Sequence, residues 1–130
     1  MSNNEFSGES IGGTAAENLT AYRFVNITTA TAADKKFSIA DSGDIAIGIV
    51  GETITSGDPV NAYIDGTGYL EVDGGTAVSA GDKLKPHTDS SGKGLKTTTD
   101  TDEYCAIALE DSSADGDIIL VLIRQGMVAA

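Results

Sequence analysis

The chain has 130 residues, which is enough for one domain with one compact core. Its 20 Asp and Glu residues against 8 Lys and Arg residues give a formal net charge of −12. This charge argues against binding to nucleic acid or to an anionic membrane, because both partners need a cationic protein surface. No secretory signal is visible at the N-terminus and the longest apolar run, Ile118 to Ile123, is too short to cross a bilayer, so we expect synthesis in the cytoplasm.

Residues 1–18 are rich in Ser, Asn, Gly and Glu, with Phe6 and Ile11 as their apolar anchors. Such a segment has little apolar area to offset the entropy of ordering. We therefore predict an N-terminal arm over residues 1–18, mobile up to about residue 14, followed by a single β domain over residues 19–130.

The domain is predicted to be all-β, because the chain has 16 Gly and 2 Pro, abundant Ser and Thr, and few strong helix formers. Residues 19–27 form the first predicted strand, although Ala15, Ala16, Leu19 and Tyr22 also fit a short helical stripe. Short strands at this spacing, with turn signals between them, indicate a small barrel or β-clip.

A Gly-Asp pair precedes a strand-prone run four times in the chain. Glycine adopts the positive φ that other residues resist, and the Asp carboxylate accepts backbone amides, so each pair predicts a turn that leads into a strand. A partial repeat surrounds two of these pairs, and residues 56–72 and 80–96 are each predicted to form a hairpin. The four pairs are Gly43-Asp44, Gly57-Asp58, Gly81-Asp82 and Gly116-Asp117.

The end of the chain is its most hydrophobic part. Residues 104–110 predict a strand with both faces largely covered, and residues 111–116 predict a turn. Residues 117–124 predict the central strand of a sheet, because apolar residues there fill both faces.

No group of residues indicates catalysis, so we expect neither an enzyme nor a bound cofactor or metal. His87 has no obvious partners and is predicted to lie at an exposed hairpin edge. Cys105 lies within a predicted strand without nearby cations, which favours a buried, unreactive thiol. Lys93, between two glycines, is interpreted as a solvated turn lysine rather than the modified lysine of a lipoyl-like carrier.

Residues 111–117 superficially resemble a calcium loop. Ser113 and Leu122 occupy the positions where an EF-hand would carry a carboxylate and a bidentate Glu. A β-turn is the favoured interpretation, and incidental Ca²⁺ binding by these clustered carboxylates stays open.

The order of the predicted strands and turns resembles the small capsid cement proteins, or head decoration proteins, of tailed bacteriophages. The resemblance spans roughly residues 13–124. It is carried by Leu19 to Val25, Ile45 to Val50, Gly57 to Val60, Gly68 to Val72, Val78 to Leu84, Ala106 to Glu110 and Gly116 to Ile118.

The resemblance implies a β-clip or β-tulip fold like that of lambda-type decoration proteins, and a virion protein whose partner is the major capsid protein. It further implies trimers on the outer surface of an expanded head, which brace the shell against internal DNA pressure. The arm would grip the shell, with Phe6, Ile11 and Thr14 as candidate capsid-binding residues. We expect apolar side chains of residues 45–50 and 118–123 to hold the trimer together.

Two other functional classes fit the sequence less well. A small carrier or binding module, lipoyl-like or glycan-binding, is the main alternative, although only 5% of the residues are aromatic and could form a platform for sugars. An enzyme of the β-clip type, similar to dUTPases, is the least supported functional class, because no nucleotide-binding motif of that family is recognisable.

Overall fold

The computed structural model describes residues 6–30, 35–41, 46–73, 77–89, 91–99, 102–112 and 116–128. Within these ranges the secondary structure consists of β-strands without a helix, and five of the strands close into a barrel. The predicted small all-β barrel is confirmed. The strands are β1 Ser10–Ala15, β2 Arg23–Ala30, β3 Lys35–Ile39, β4 Gly48–Val50, β5 Pro59–Tyr63, β6 Gly66–Glu71, β7 Lys83–Pro86, β8 Gly94–Lys96, β9 Glu103–Ala108 and β10 Ile118–Met127.

The first five strands form the closed barrel, in the order β1-β3-β2-β4-β5. β1 closes it by pairing in parallel with β3 and antiparallel with β5. The interior is filled by apolar side chains that alternate with outward-facing ones along the strands. The fully buried side chains at its centre include Val25, Phe37, Val50 and Ala62.

The last five strands form a sheet in the order β6-β10-β9-β7-β8. A parallel bridge from Val72 to Gly94 brings the chain just beyond β6 next to β8. The core of this half also receives side chains from the barrel: Phe24 and Ile49 pack in one cluster with Leu70 and Val121. Consecutive residues of β2 thus serve two cores, since Phe24 faces the sheet and Val25 faces the barrel interior.

The predicted arm is wrong for Ser10–Ala15, because these residues are β1 of the barrel. The glycines in this segment, which suggested an arm, are instead needed for close packing between strands. A Cβ at Gly13 would lie 2.6 Å from both the carbonyl oxygen of Lys35 and the Phe37 ring, so only glycine lets β1 approach β3 this closely. For residues 1–5 the prediction of a mobile arm lies outside the described part of the chain.

The first predicted strand begins late and the helical alternative is wrong. Arg23 starts β2, whereas Leu19 makes only a single bridge to Ile54, and residues 15–22 contain no helix. Tyr22 has a left-handed backbone with φ of 64°, which turns the chain into the strand. Its N–H donates to the carbonyl of Val50, so the barrel holds this conformation in place.

The Gly-Asp turns are confirmed where they are described. Gly57, Gly81 and Gly116 all have positive φ, and the carboxylate of Asp82 accepts the N–H of Ser79 at 2.8 Å. The pair at residues 43–44 lies outside the described ranges.

One of the two predicted hairpins is confirmed and the other is wrong. β7 and β8 pair antiparallel, as the pattern over residues 80–96 predicts. β5 and β6 do not pair, because β5 closes the barrel while β6 joins the sheet beside β10. The local sequence pattern predicts two strands and a turn in both cases. It does not indicate that the chain passes from the barrel to the sheet at Ile64 and Asp65.

The two closing strands are confirmed, but the prediction that both of their faces are covered is wrong within this chain, because Leu109 and Ile118 are exposed. β9 covers residues 103–108 and β10 covers residues 118–127, and β10 lies between β6 and β9 as a central strand. The residues of β10 alternate regularly as far as Ile123: Ile119, Val121 and Ile123 are buried, whereas Ile118 is exposed.

Candidate functional site

Phe6 closes the junction between the barrel and the sheet. Its ring stacks on Tyr63, with centroids 4.3 Å apart and planes inclined by 18°, and packs against the core cluster of the sheet. The ring lies over two glycines: a Cβ at Gly51 would come within 2.9 Å of it, and a Cβ at Gly68 would overlap it. Phe6 is therefore a packed side chain of the folded chain.

Hydrogen bonds hold the residues that follow Phe6. Ser7 and Thr67 exchange two backbone hydrogen bonds of 2.9 Å each, and their hydroxyl oxygens lie 2.7 Å apart. The N–H of Glu9 donates to the Asp65 carboxylate at 2.7 Å, and its carbonyl accepts the N–H of Ile64. The segment from Phe6 to Glu9 is thereby fixed along the connection from β5 to β6.

Ile11 lies at one open end of the barrel, which we call the barrel mouth. The starts of β1 and β4 and the ends of β2 and β5 meet there because of the strand directions. Together with β10, the barrel mouth encloses an open groove of about 840 Å³. Its aliphatic lining residues are Ile11, Ile27, Ile47, Ile64, Leu122 and Ile123.

The polar side of the groove comes from a β-bulge in β10. Ile123 pairs with Ala106 and Gly126 pairs with Tyr104, so Arg124 and Gln125 together face a single residue of β9. Both residues line the groove. Gln125 Nε2 donates to the carbonyl of Ala46 at 2.5 Å, which ties β10 to the chain just before β4.

Thr14 lies away from both features, near the other end of β1, where it is opposite Lys36 and Pro59. The structure therefore does not bring the three candidate residues Phe6, Ile11 and Thr14 together into one site. Sequence reasoning missed most of the groove, because its lining comes from separate segments. The one local signal was an arginine directly after the hydrophobic run of β10.

The two residues predicted to be exposed turn residues, Lys93 and His87, are half-buried next to carboxylates instead. Glu71 accepts from Arg23 Nη2 at 3.2 Å and lies 3.6 Å from Lys93 Nζ. His87 Nε2 is 3.2 Å from Asp73 Oδ2. Both predictions were wrong because the end of β6 packs against the β7–β8 hairpin, a long-range contact that the local sequence does not encode.

Lys85 and Thr97 both donate to Asp102 Oδ2, at 2.7 Å each. These hydrogen bonds, that of Lys85 first, hold the pKa of the Asp102 carboxyl below its usual value. The arrangement fixes the strand β7 against the start of β9.

The buried Cys105 is confirmed, and burial raises the pKa of its thiol to about 11. A thiol of this kind is protonated and unreactive at neutral pH. Among the described residues, no three His, Cys, Asp or Glu side chains are grouped so as to hold a metal ion. Likewise, no helix in the described part of the chain is long and apolar enough to cross a membrane.

The outward face of β9 and β10 is a second apolar surface. Leu109 and Ile118 are 42% and 38% exposed, and Ile107 and Leu120 are half-buried beside them. Val121 is buried in the core, so its neighbour Leu122 and the residue paired with Leu122, Ile107, lie on the opposite face of the sheet. Leu109, Ile118 and Leu120 lie on that same face, because alternate residues of a strand point to the same side. We call this surface the outer sheet face.

Comparison with known proteins gives a consistent result. The model of a family described as phage cement protein matches residues 7–124. An uncharacterized protein of Methanocaldococcus jannaschii is 33% identical over 115 residues, covering 76% of this chain and 94% of that protein. The fold is similar to the crystal structure of the head fiber gp8.5 N base in bacteriophage phi29, with a TM-score of 0.69 and 21% identity over 89% of this chain and 93% of that chain.

Proposed function

This chain belongs to the phage cement protein family, and from that starting point we propose that it binds the outer surface of the expanded head and stabilises the shell. The family supports a structural role at the phage head. The single observation that carries the finer proposal is the match over residues 7–124, which takes in both the barrel and the sheet. The major capsid protein is the proposed partner.

The charge of the chain supports a position outside the shell. A protein with a net charge of −12 is repelled by packaged DNA, and a position outside the shell keeps it away from that DNA. The closed barrel also suits a brace, because it leaves no free strand edges in that half of the molecule and resists local opening. Together these features support stabilisation against internal DNA pressure.

We further propose that the protein acts as a homotrimer through the outer sheet face. Leu109 and Ile118 protrude there, so association covers apolar area, and the nearby carboxylate of Glu110 is engaged by the N–H of Leu120. The residues 46–50, also predicted to hold the trimer, are unsuited, because Ala46, Ile49 and Val50 are buried within the chain. Ile45 lies outside the described residues.

Phe6, Ile11 and Thr14 contribute differently to this proposal. Ile11 lines the groove and is the residue we propose for contact with the shell. Phe6 is engaged inside the molecule, so its effect on binding would be exerted through folding. A direct contact of Thr14 with the shell stays a prediction.

The test is to mix the purified protein with expanded heads that were assembled without it. We expect saturable, symmetric density on the outside of the heads by cryo-electron microscopy, and heads that withstand a higher temperature before they release DNA. Light scattering on the wild type and on Leu109→Glu tests the trimer, with Glu103→Gln as an exposed control at the opposite end of β9. Heads that stay undecorated at saturating protein would overturn the proposed function, and a monomer both free and on the shell would overturn the trimer.

A further inference from the structure

We propose that the groove at the barrel mouth binds an extended aliphatic segment of the major capsid protein, one that carries a carboxylate side chain to meet Arg124. This inference rests on the proposed function and names the site and the chemistry of the contact. It is carried by three observations: the aliphatic lining, an arginine that pairs with none of the described residues, and the bulge that positions it.

The aliphatic lining is larger than the fold itself requires. The barrel is already filled at its centre by fully buried side chains such as Phe37 and Val50. Beyond them, Ile11, Ile27 and Ile47 are only half-buried at the mouth, and Leu122 faces them from β10. β-Branched side chains have few rotamers to lose, so a partner that covers them gains apolar burial at a low entropic cost.

Arg124 supplies the charge that selects the partner. It is exposed, and among the residues that the structure describes it has no hydrogen-bond or ion-pair partner. In the same part of the chain, Arg23, Lys85, Lys93 and Lys96 all pair with carboxylates. An unpaired guanidinium beside an apolar groove is suited to bind a carboxylate by two parallel hydrogen bonds.

The β-bulge gives the groove its geometry. In a regular strand Arg124 and Gln125 would point to opposite faces of the sheet. The extra residue in β10 lets both line the groove, and the hydrogen bond from Gln125 to Ala46 fixes this arrangement. Bulges are over-represented beside functional sites, where they redirect a side chain.

A second copy of this chain is the less favoured occupant. Two chains that each carry a net charge of −12 repel one another, so self-association is favoured where the surface is uncharged. On the outer sheet face the apolar side chains of Leu109 and Ile118 protrude, whereas Asp65 lies on the rim of the groove. A single carboxylate on a capsid segment meets far less repulsion than a second chain of net charge −12, and its pairing with Arg124 offsets that repulsion locally.

The experiment measures binding of variants to expanded heads assembled without the protein. Arg124→Gln removes the charge, and Ile11→Ala removes part of the apolar lining at a residue that is not on the outer sheet face. Thr98→Glu is the control for the first variant, because it makes the net charge more negative by the same amount at an exposed position outside the groove. All variants are first shown by circular dichroism to melt within a few degrees of the wild type.

We expect binding about tenfold weaker for Arg124→Gln, from the loss of one charge-assisted hydrogen-bonded pair. A similar loss is expected for Ile11→Ala, and a change of less than about twofold for Thr98→Glu, whose added charge lies outside the groove. Cryo-electron microscopy of decorated heads should show an extended capsid segment in the groove, with a carboxylate beside Arg124. This inference is overturned if the wild type binds and both groove variants bind equally well. It is also overturned if the groove on decorated heads is empty or filled by another copy of this chain. Both outcomes leave the proposed function standing. Absence of wild-type binding overturns both.

Discussion

Replacement of Phe6 by Ala separates a packed N-terminal segment from a free arm. In the structure the Phe6 ring stacks on Tyr63 and lies over Gly51 and Gly68 at the edge of the sheet's core. If this packing holds in the isolated protein, Phe6→Ala must reduce the free energy of unfolding. If residues before β1 form a free arm, the substitution has no effect on stability.

The size of the effect follows from the burial of the ring. Truncation of a fully buried Phe to Ala costs about 3–5 kcal/mol, and Phe6 is only partly buried, so its packing contributes about 2 kcal/mol. Loss of the stacked pair with Tyr63 adds about 0.5–1 kcal/mol. We therefore expect the free energy of unfolding to fall by about 2–3 kcal/mol, which for a chain of this length lowers the melting temperature by about 8 °C.

The assay is guanidinium unfolding followed by circular dichroism, at a concentration where light scattering gives the same oligomeric state for both proteins. Gly68→Ala provides a second, independent test, because a Cβ at this position would overlap the Phe6 ring. We expect Gly68→Ala to be destabilising in the wild type and clearly less so in the Phe6→Ala background, with a coupling of about 1–2 kcal/mol. A Phe6→Ala protein as stable as the wild type, or additive effects in the double variant, would refute the packing described here.

The remaining predictions concern titration. The lowered pKa of Asp102 means that its carboxylate stabilises the fold above the ordinary value of 3.8, and that this contribution is lost as the pH falls through the lower folded value. Asp102→Asn should therefore flatten the decrease in the midpoint of unfolding as the pH falls below 3.8, relative to the wild type. The raised pKa of Cys105, about 11, favours the neutral thiol in the fold, so its contribution is complete below the ordinary value of 9.0 and is lost as the pH rises through about 11. Iodoacetamide at pH 8 should modify Cys105 only as fast as the chain unfolds, and immediate modification of the folded protein would contradict its burial.

Local chemistry was sufficient to identify the strands that carry a strong pattern. β9 and β10 are predicted because their apolar runs can only be covered on both sides within a sheet. The turns at Gly57, Gly81 and Gly116 follow from the positive φ that glycine permits. Cys105 is correctly predicted to be buried, since its neighbours along the strand are apolar or aromatic.

Which strands meet, and therefore where the candidate site lies, depended on long-range packing. Ser10–Ala15 has the composition of a loop and becomes a strand only because β3 and β5 provide partners for it. The same holds for His87 and Lys93, whose carboxylate partners are residues at the end of β6 and just beyond it. The groove is assembled from the barrel mouth and β10, and the bulge at Arg124 and Gln125 exists only in the pairing of β10 with β9. A sequence pattern reports the exposure of neighbouring residues along one strand, whereas a site between two sheets is set by the register and closure of strands far apart in the chain.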